Sequence, residues 1–113
     1  MEENESVKVL RECIELQIRK GQDYQNPNSR VKQAMYYPRG IESIMDIINA
    51  KYLRVISLLE AEDKPNFEGI EDSLKDLVNY ASFAVAWQRG KIDGQPSTDE
   101  VEEMKRFYNK KEK

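Results

Sequence analysis

Asp72 and Asp76 stand four residues apart in a stretch that reads as helix, a spacing that puts both carboxylates on one face. Two like charges so close are unfavourable unless water or a cation neutralises them. Mg²⁺ suits such a pair, because it takes one or two carboxylates and fills its remaining positions with water and phosphate oxygens. Asn79 adds an amide to the same stripe. The competing reading is a solvated acidic face, and the spacing alone does not separate the two. A second group, Lys51 and Arg54, is spaced i,i+3. These cations could contact phosphates, arginine through paired hydrogen bonds and lysine as a point charge, or could hold Asp72 or Asp76 in ion pairs. A third group gathers at Lys20, Asp23, Tyr24, Asn26 and Pro27, where Tyr24 could stack on a base or cap the core.

Composition narrows the chemistry further. The 113 residues include no histidine, which removes histidine general bases, histidine-dependent triads and most zinc sites. Catalysis would have to come from carboxylates, lysine, tyrosine or an oxygen-bound metal. Cys13 is the single cysteine, so no disulfide framework forms within the chain, in keeping with a reducing compartment. In its helical setting beside Ile14 it reads as a partly buried small residue rather than a reactive thiol. A net charge of −3 argues against an extended nucleic-acid surface. It leaves room for a small phosphate-bearing ligand, which needs only a few local cations. Residues 1–6 are acidic and polar and do not read as a signal peptide, and no apolar run approaches membrane-spanning length. A cytoplasmic location without membrane partners is expected.

The elements that must position these residues are helices. Ser6 can cap a first one, and Val7, Leu10, Ile14 and Ile18 follow at helical spacing until Lys20-Gly21. Residues 22–40 read mostly as loop, with a short helical piece near 30–35. The second helix is expected over 41–61. At about 100° per residue its apolar positions fill one wide arc, with Lys51 inside the arc and Arg54 at its edge. A lysine so placed must snorkel, pair with a carboxylate, or face a ligand. The third helix is expected over 67–90, with Ile70, Leu74, Leu77, Val78, Ala81, Ala84 and Val85 as its main core stripe. Asp72, Asp76, Asn79, Phe83 and Trp87 share the opposite face. Aromatic residues there predict that this helix is covered on both sides, by a helix, a subunit or a ligand pocket. Ser97 to Glu100 matches a capping box for a last helix over 97–108, and the basic end reads as a solvated tail. The whole predicts one all-α domain over 1–113, a small bundle with two long central helices and frayed ends at 1–5 and 109–113.

The order of these groups resembles a known family. Lys20-x-x-Asp23-Tyr24 comes first. A helix with Asp46 and Lys51-x-x-Arg54 follows, and then Glu71-Asp72-x-x-x-Asp76-x-x-Asn79-Tyr80-Ala81. This looks like the nucleotide modification-associated domain 1 family of phage and bacterial genomes. It is more distantly similar to the MazG-like all-α nucleotide pyrophosphohydrolases. The resemblance spans residues 16–90. It implies a helical bundle, often completed by a second subunit into a homo-oligomer, that handles (deoxy)nucleotides. It also implies a host-cytoplasmic location if the chain is phage-encoded. In MazG-like enzymes, carboxylates from two helices hold Mg²⁺ on a triphosphate, and an activated water releases monophosphate and pyrophosphate. Carried onto this chain, Asp72, Asp76 and Asp46 become the catalytic metal ligands. Lys51 and Arg54 become phosphate contacts, and Lys20, Tyr24 and Asn79 position the nucleotide. One departure stands out. MazG-like enzymes carry a Glu-Glu-x-x-Glu cluster on the earlier helix, where residues 41–49 here offer only Glu42 and Asp46. Three functions therefore remain open: a Mg²⁺-dependent nucleoside triphosphate pyrophosphohydrolase, a non-catalytic nucleotide binder acting as a sponge for a nucleotide immune signal, and a helical interaction module whose Phe83 and Trp87 face a partner.

Overall fold

The computed structural model of the chain describes residues 3–24, 28–61 and 67–95. The helix expected over 97–108 lies outside them. The described residues form an all-α fold: α1 (Glu5–Tyr24), a 3-10 turn (Gln33–Tyr36), α2 (Ile41–Glu60) and α3 (Phe67–Gln88).

Local chemistry sets the ends of these helices. α1 begins one residue before Ser6, with the Asn4 carbonyl accepting from Val7 and Lys8 at 3.0 and 3.2 Å, so Ser6 lies inside the first turn instead of capping it. It also runs past Lys20-Gly21 to Tyr24. Gly40 starts α2 at a φ of 65°, a left-handed conformation that disfavours side chains. A Cβ there would stand 2.9 Å from Cζ2 of Trp87, so glycine is needed for space as well. α3 ends in a Schellman motif: Lys91 N–H donates to the Ala86 carbonyl at 3.0 Å and Gly90 N–H to the Trp87 carbonyl at 2.9 Å, with Gly90 at a φ of 70°. The chain then folds back. Gln95 ties itself to Ile92 N–H and the Trp87 carbonyl, and the Asp93 carbonyl accepts from Ala34 N–H at 2.9 Å.

α2 and α3 run antiparallel. Gly40, at the start of α2, lies beside Trp87 near the end of α3, and Lys51 meets Asp76 in the middle of both helices. The core sits at the Gly40–Trp87 end. Tyr37, Ile44 and Ile92 are buried, and Ile47, Ile48, Tyr80, Phe83, Ala84 and Trp87 pack around them. Tyr37 and Trp87 meet edge to face at 6.2 Å, as do Tyr80 and Phe83 at 5.4 Å. Val55 is buried further along α2.

One expectation about faces is overturned. On α3, Leu74, Val78, Ala81 and Val85 of the expected core stripe are exposed, whereas Asn79 is buried and Phe83 and Trp87 are partly buried against the core. The apolar surface of α2 engages the Ser73, Tyr80 and Trp87 side of α3, and that fixes which way the stripe points. Phe83 and Trp87 therefore do not form a free face for a partner. On α1, the stripe Val7, Leu10, Ile14 and Ile18 is exposed. The side of α3 that meets α1 carries Lys75, Asp76, Asn79 and Ser82, and α1 turns its polar flank and Cys13 toward it.

Candidate functional site

A cavity of about 530 Å³ opens between α1, the 3-10 turn and α3. Its volume lies in the range of small-molecule sites, roughly 300–1,000 Å³. α1 contributes Gln17 and Ile18 and, one helical turn on, Lys20 and Gly21. The 3-10 turn and the residue after it contribute Gln33, Tyr36 and Tyr37. Ile47 of α2 forms part of the wall, α3 adds Asp76, Asn79, Tyr80 and Phe83 at i, i+3, i+4 and i+7, and Asp93 comes from the fold-back.

Charge concentrates at Asp76. Lys20 Nζ lies 3.3 Å from one carboxylate oxygen and Lys51 Nζ 3.0 Å from the other, with the carboxylate only 17% exposed. Three helices thus bring two ammoniums to one carboxylate, of which Lys20 and Asp76 line the cavity and Lys51 does not. This explains the lysine inside the apolar arc of α2: it pairs across to α3. Beside this cluster Gln17 Nε2 donates to Ser82 Oγ at 3.0 Å and approaches Asn79 Oδ1 at 3.5 Å. The Ser82 hydroxyl donates to the Asn79 carbonyl at 2.6 Å. The lining also carries the aromatic rings of Tyr36, Tyr80 and Phe83, and Gln33 donates to the Tyr37 hydroxyl at 3.5 Å.

The structure brings together Lys20, Lys51, Asp76 and Asn79 of the residues singled out in the sequence. It leaves the others apart. Asp46 is exposed and ion-paired with Arg39, which also meets Glu42 at 3.2 Å. Asp72 and Arg54 are exposed and do not line the cavity. The side chain of Tyr24 lies outside the described residues. Among the described residues, no three carboxylates or other potential ligands gather where a metal ion could be held. A resident metal centre built from Asp46, Asp72 and Asp76 is therefore not a fit to this arrangement, since both oxygens of Asp76 face ammoniums and Asp46 is engaged elsewhere. Phe83, on the stripe for which a ligand pocket was one of the expected covers, lines the cavity, and Gln17, Gln33, Tyr36, Tyr37, Tyr80 and Asp93 do so without having been singled out as ligand contacts. The adjacent pair Tyr36-Tyr37, in a segment rich in turn formers, was the available signal for part of this set.

No described helix is long and apolar enough to cross a membrane. No curated protein and no solved structure matches the chain significantly. The model of the family described as Nucleotide modification associated domain 1 matches residues 20–86, more than half of the chain and the span that carries Lys20, Lys51, Asp76 and Asn79, so the protein belongs to that family.

Proposed function

We propose that the protein binds a (deoxy)nucleotide in the α1–α3 cavity. The phosphates would lie at Lys20 and Lys51 and the base among Tyr36, Tyr80 and Phe83. The observation that carries this reading is the cluster of Lys20, Asp76 and Lys51, of which Lys20 and Asp76 line a cavity that also carries Tyr36, Tyr80 and Phe83. An incoming phosphate competes with Asp76 for both ammoniums, and aromatic rings take up any base through its π-face. Gln17, Gln33 and Asn79 supply the amides that read base or sugar edges. The family's link to nucleotide modification agrees with this ligand class.

Cleavage of a nucleoside triphosphate to monophosphate and pyrophosphate is the second reading, and the position of Asp76 favours it. A carboxylate freed from its lysines by a phosphate would stand on the cavity wall beside the ligand, able to accept a proton from water. Any Mg²⁺ in that reaction would be carried by the triphosphate, with phosphate and water as its main ligands.

One variant separates binding from cleavage. In the binding reading, Asp76→Asn removes the internal competitor, so nucleotide affinity rises, and Lys51→Ala lowers it. In the cleavage reading, Asp76→Asn abolishes release of pyrophosphate whatever its effect on affinity. Native mass spectrometry with a mixed nucleotide pool and Mg²⁺, followed by calorimetry on both variants, reads each outcome. A wild-type protein that neither retains nor converts any nucleotide would sink both readings.

A further inference from the structure

Two carboxylates line the cavity, and they differ in what holds them. Asp76 is paired with Lys20 and Lys51. Asp93 is exposed, and its carboxylate has no hydrogen bond or ion pair with any described residue. The fold nevertheless fixes where Asp93 stands. Ile92, just before it, is buried in the core cluster around which Tyr80 and Phe83 pack. The Asp93 carbonyl accepts from Ala34 N–H at 2.9 Å. The Gln95 side chain closes the turn, accepting from Ile92 N–H at 3.0 Å and donating to the Trp87 carbonyl at 2.9 Å. Between them Gly94 holds a φ of 87°, and a Cβ there would collide with Cβ of Lys32.

The charge of Asp93 decides which part of a nucleotide it can meet. It repels phosphate, so within the nucleotide-binding reading, on which this inference rests, it faces the uncharged end of the ligand. Its position along α3 agrees. Lys20 meets α3 at Asp76, whereas the turn carrying Asp93 is tied to Trp87, about 16 Å further along the helix at 1.5 Å per residue. The sugar of a nucleotide lies between phosphate and base, so the carboxylate farther from Lys20 is the one placed to read the base.

A carboxylate only accepts hydrogen bonds. Among the common bases, guanine presents two donors side by side, its ring N–H and its 2-amino group. Adenine and cytosine set an amino donor beside a ring-nitrogen acceptor, and the ring N–H of uracil or thymine lies between two carbonyls. Guanine therefore uses both carboxylate oxygens at once, in the paired geometry that carboxylates also form with arginine. An acceptor of any other base brought to the same place meets a negatively charged oxygen. Gln33, next to Ala34 in the chain and also on the cavity wall, supplies an amide able to donate to the guanine 6-carbonyl. We propose that Asp93 makes the cavity selective for guanine nucleotides, accepting from the ring N–H and the 2-amino group with one oxygen each.

Calorimetric titration of the full chain with nucleoside triphosphates, without Mg²⁺ so that none is cleaved, tests the proposal. The guanosine nucleotide binds tightest. The inosine nucleotide, which lacks only the 2-amino group, binds about 10-fold more weakly, as expected when a paired base contact is lost. Asp93→Asn turns one acceptor into a donor, so it weakens the guanosine nucleotide by about 10-fold or more and strengthens the xanthosine nucleotide, whose 2-carbonyl accepts where guanine donates. Damage to the turn would not produce that gain, and circular dichroism checks that the variant keeps its helices. Equal affinity for all bases, unchanged by Asp93→Asn, overturns the proposal and leaves nucleotide binding standing. A preference for ribose over deoxyribose that Asp93→Asn abolishes, with no preference among bases, also overturns it, by moving the carboxylate to the sugar. If no nucleotide binds, the nucleotide reading falls and this inference falls with it.

Discussion

α3 is flanked by two helices and meets them in different ways. Toward α2 it turns Tyr80, Ala84 and Trp87, which pack around fully buried Ile44. Toward α1 it turns Lys75, Asp76, Asn79 and Ser82, which answer Glu12, Gln17 and Lys20 through ion pairs and hydrogen bonds. The contact with α2 is also the more extensive. Apolar burial is the dominant favourable term in folding, whereas partly exposed ion pairs contribute little. The α2–α3 hairpin is therefore the stable body, and α1 is attached to it by polar contacts that also form one wall of the cavity. Binding surfaces commonly draw on the less stable parts of a fold.

The largest test of that contrast is a pair of truncations. Ile44→Ala should cost about 2–5 kcal/mol, because its side chain is wholly buried. Leu10→Ala, at 51% exposed on α1, should change stability by no more than about 0.5 kcal/mol. Equal effects in chemical denaturation would erase the distinction between the two contacts. Next comes Lys51→Ala, which leaves a carboxylate only 17% exposed with a single ammonium. A loss of about 1–2 kcal/mol is expected because one oxygen of a largely buried carboxylate loses its charged hydrogen-bond partner, and Asp76→Asn should restore part of it in the double variant. A double-mutant cycle showing no coupling would mean that the pair contributes nothing to the attachment. Gln17→Ala should cost about 1 kcal/mol, since only its hydrogen bonds to α3 are lost.

The smallest expected effect is a dependence on alkaline pH centred on α1. Burial pushes the Cys13 thiol above its ordinary value of 9.0, with Lys75 pulling it back. The Lys75 ammonium is held above its ordinary 10.5, first by its hydrogen bond to Glu12. The unfolded thiol ionises more readily than the folded one, so stability begins to fall as pH rises past 9. The lysine's contribution is complete below 10.5 and is lost as pH climbs through its raised folded value. Cys13→Ala should delay the onset of the loss toward 10.5 in melts recorded across this range. An unchanged onset would mean that the thiol's burial does not matter to stability.

Much of the fold was legible in sequence because helix periods and stop signals are local. The bounds of α2 and α3, the glycine after α3 and the oddity of Lys51 all follow from spacing and residue type. Facing was less legible. Leu74, Val78 and Val85 are apolar at helical spacing, which marks a surface to be covered without saying by what. The stripe on α1 carries the same ambiguity. For the candidate site, Lys20, Lys51, Asp76 and Asn79 were visible as charges and amides on helices. Tyr36 and Asp93 were not, because they reach the cavity through the 3-10 turn and the fold-back after Gly90, whose path is set by long-range contacts such as the Ala34–Asp93 hydrogen bond. The grouping of Asp46 with Asp72 and Asp76 came from the family resemblance, and Arg39 pairs with Asp46 instead.

The attachment of Lys20 to α1 has a mechanical consequence. Lys51 and Asp76 stand on the stable hairpin and Lys20 on the helix beside it, so any anion that spans both ammoniums acts as a splint between them. Its affinity for the folded protein adds to the resistance of α1 to opening, by about 2.7 kcal/mol when the ligand is present at a hundred times its dissociation constant. Slowed amide exchange along α1 would then reveal a bound molecule whether or not it is ever turned over.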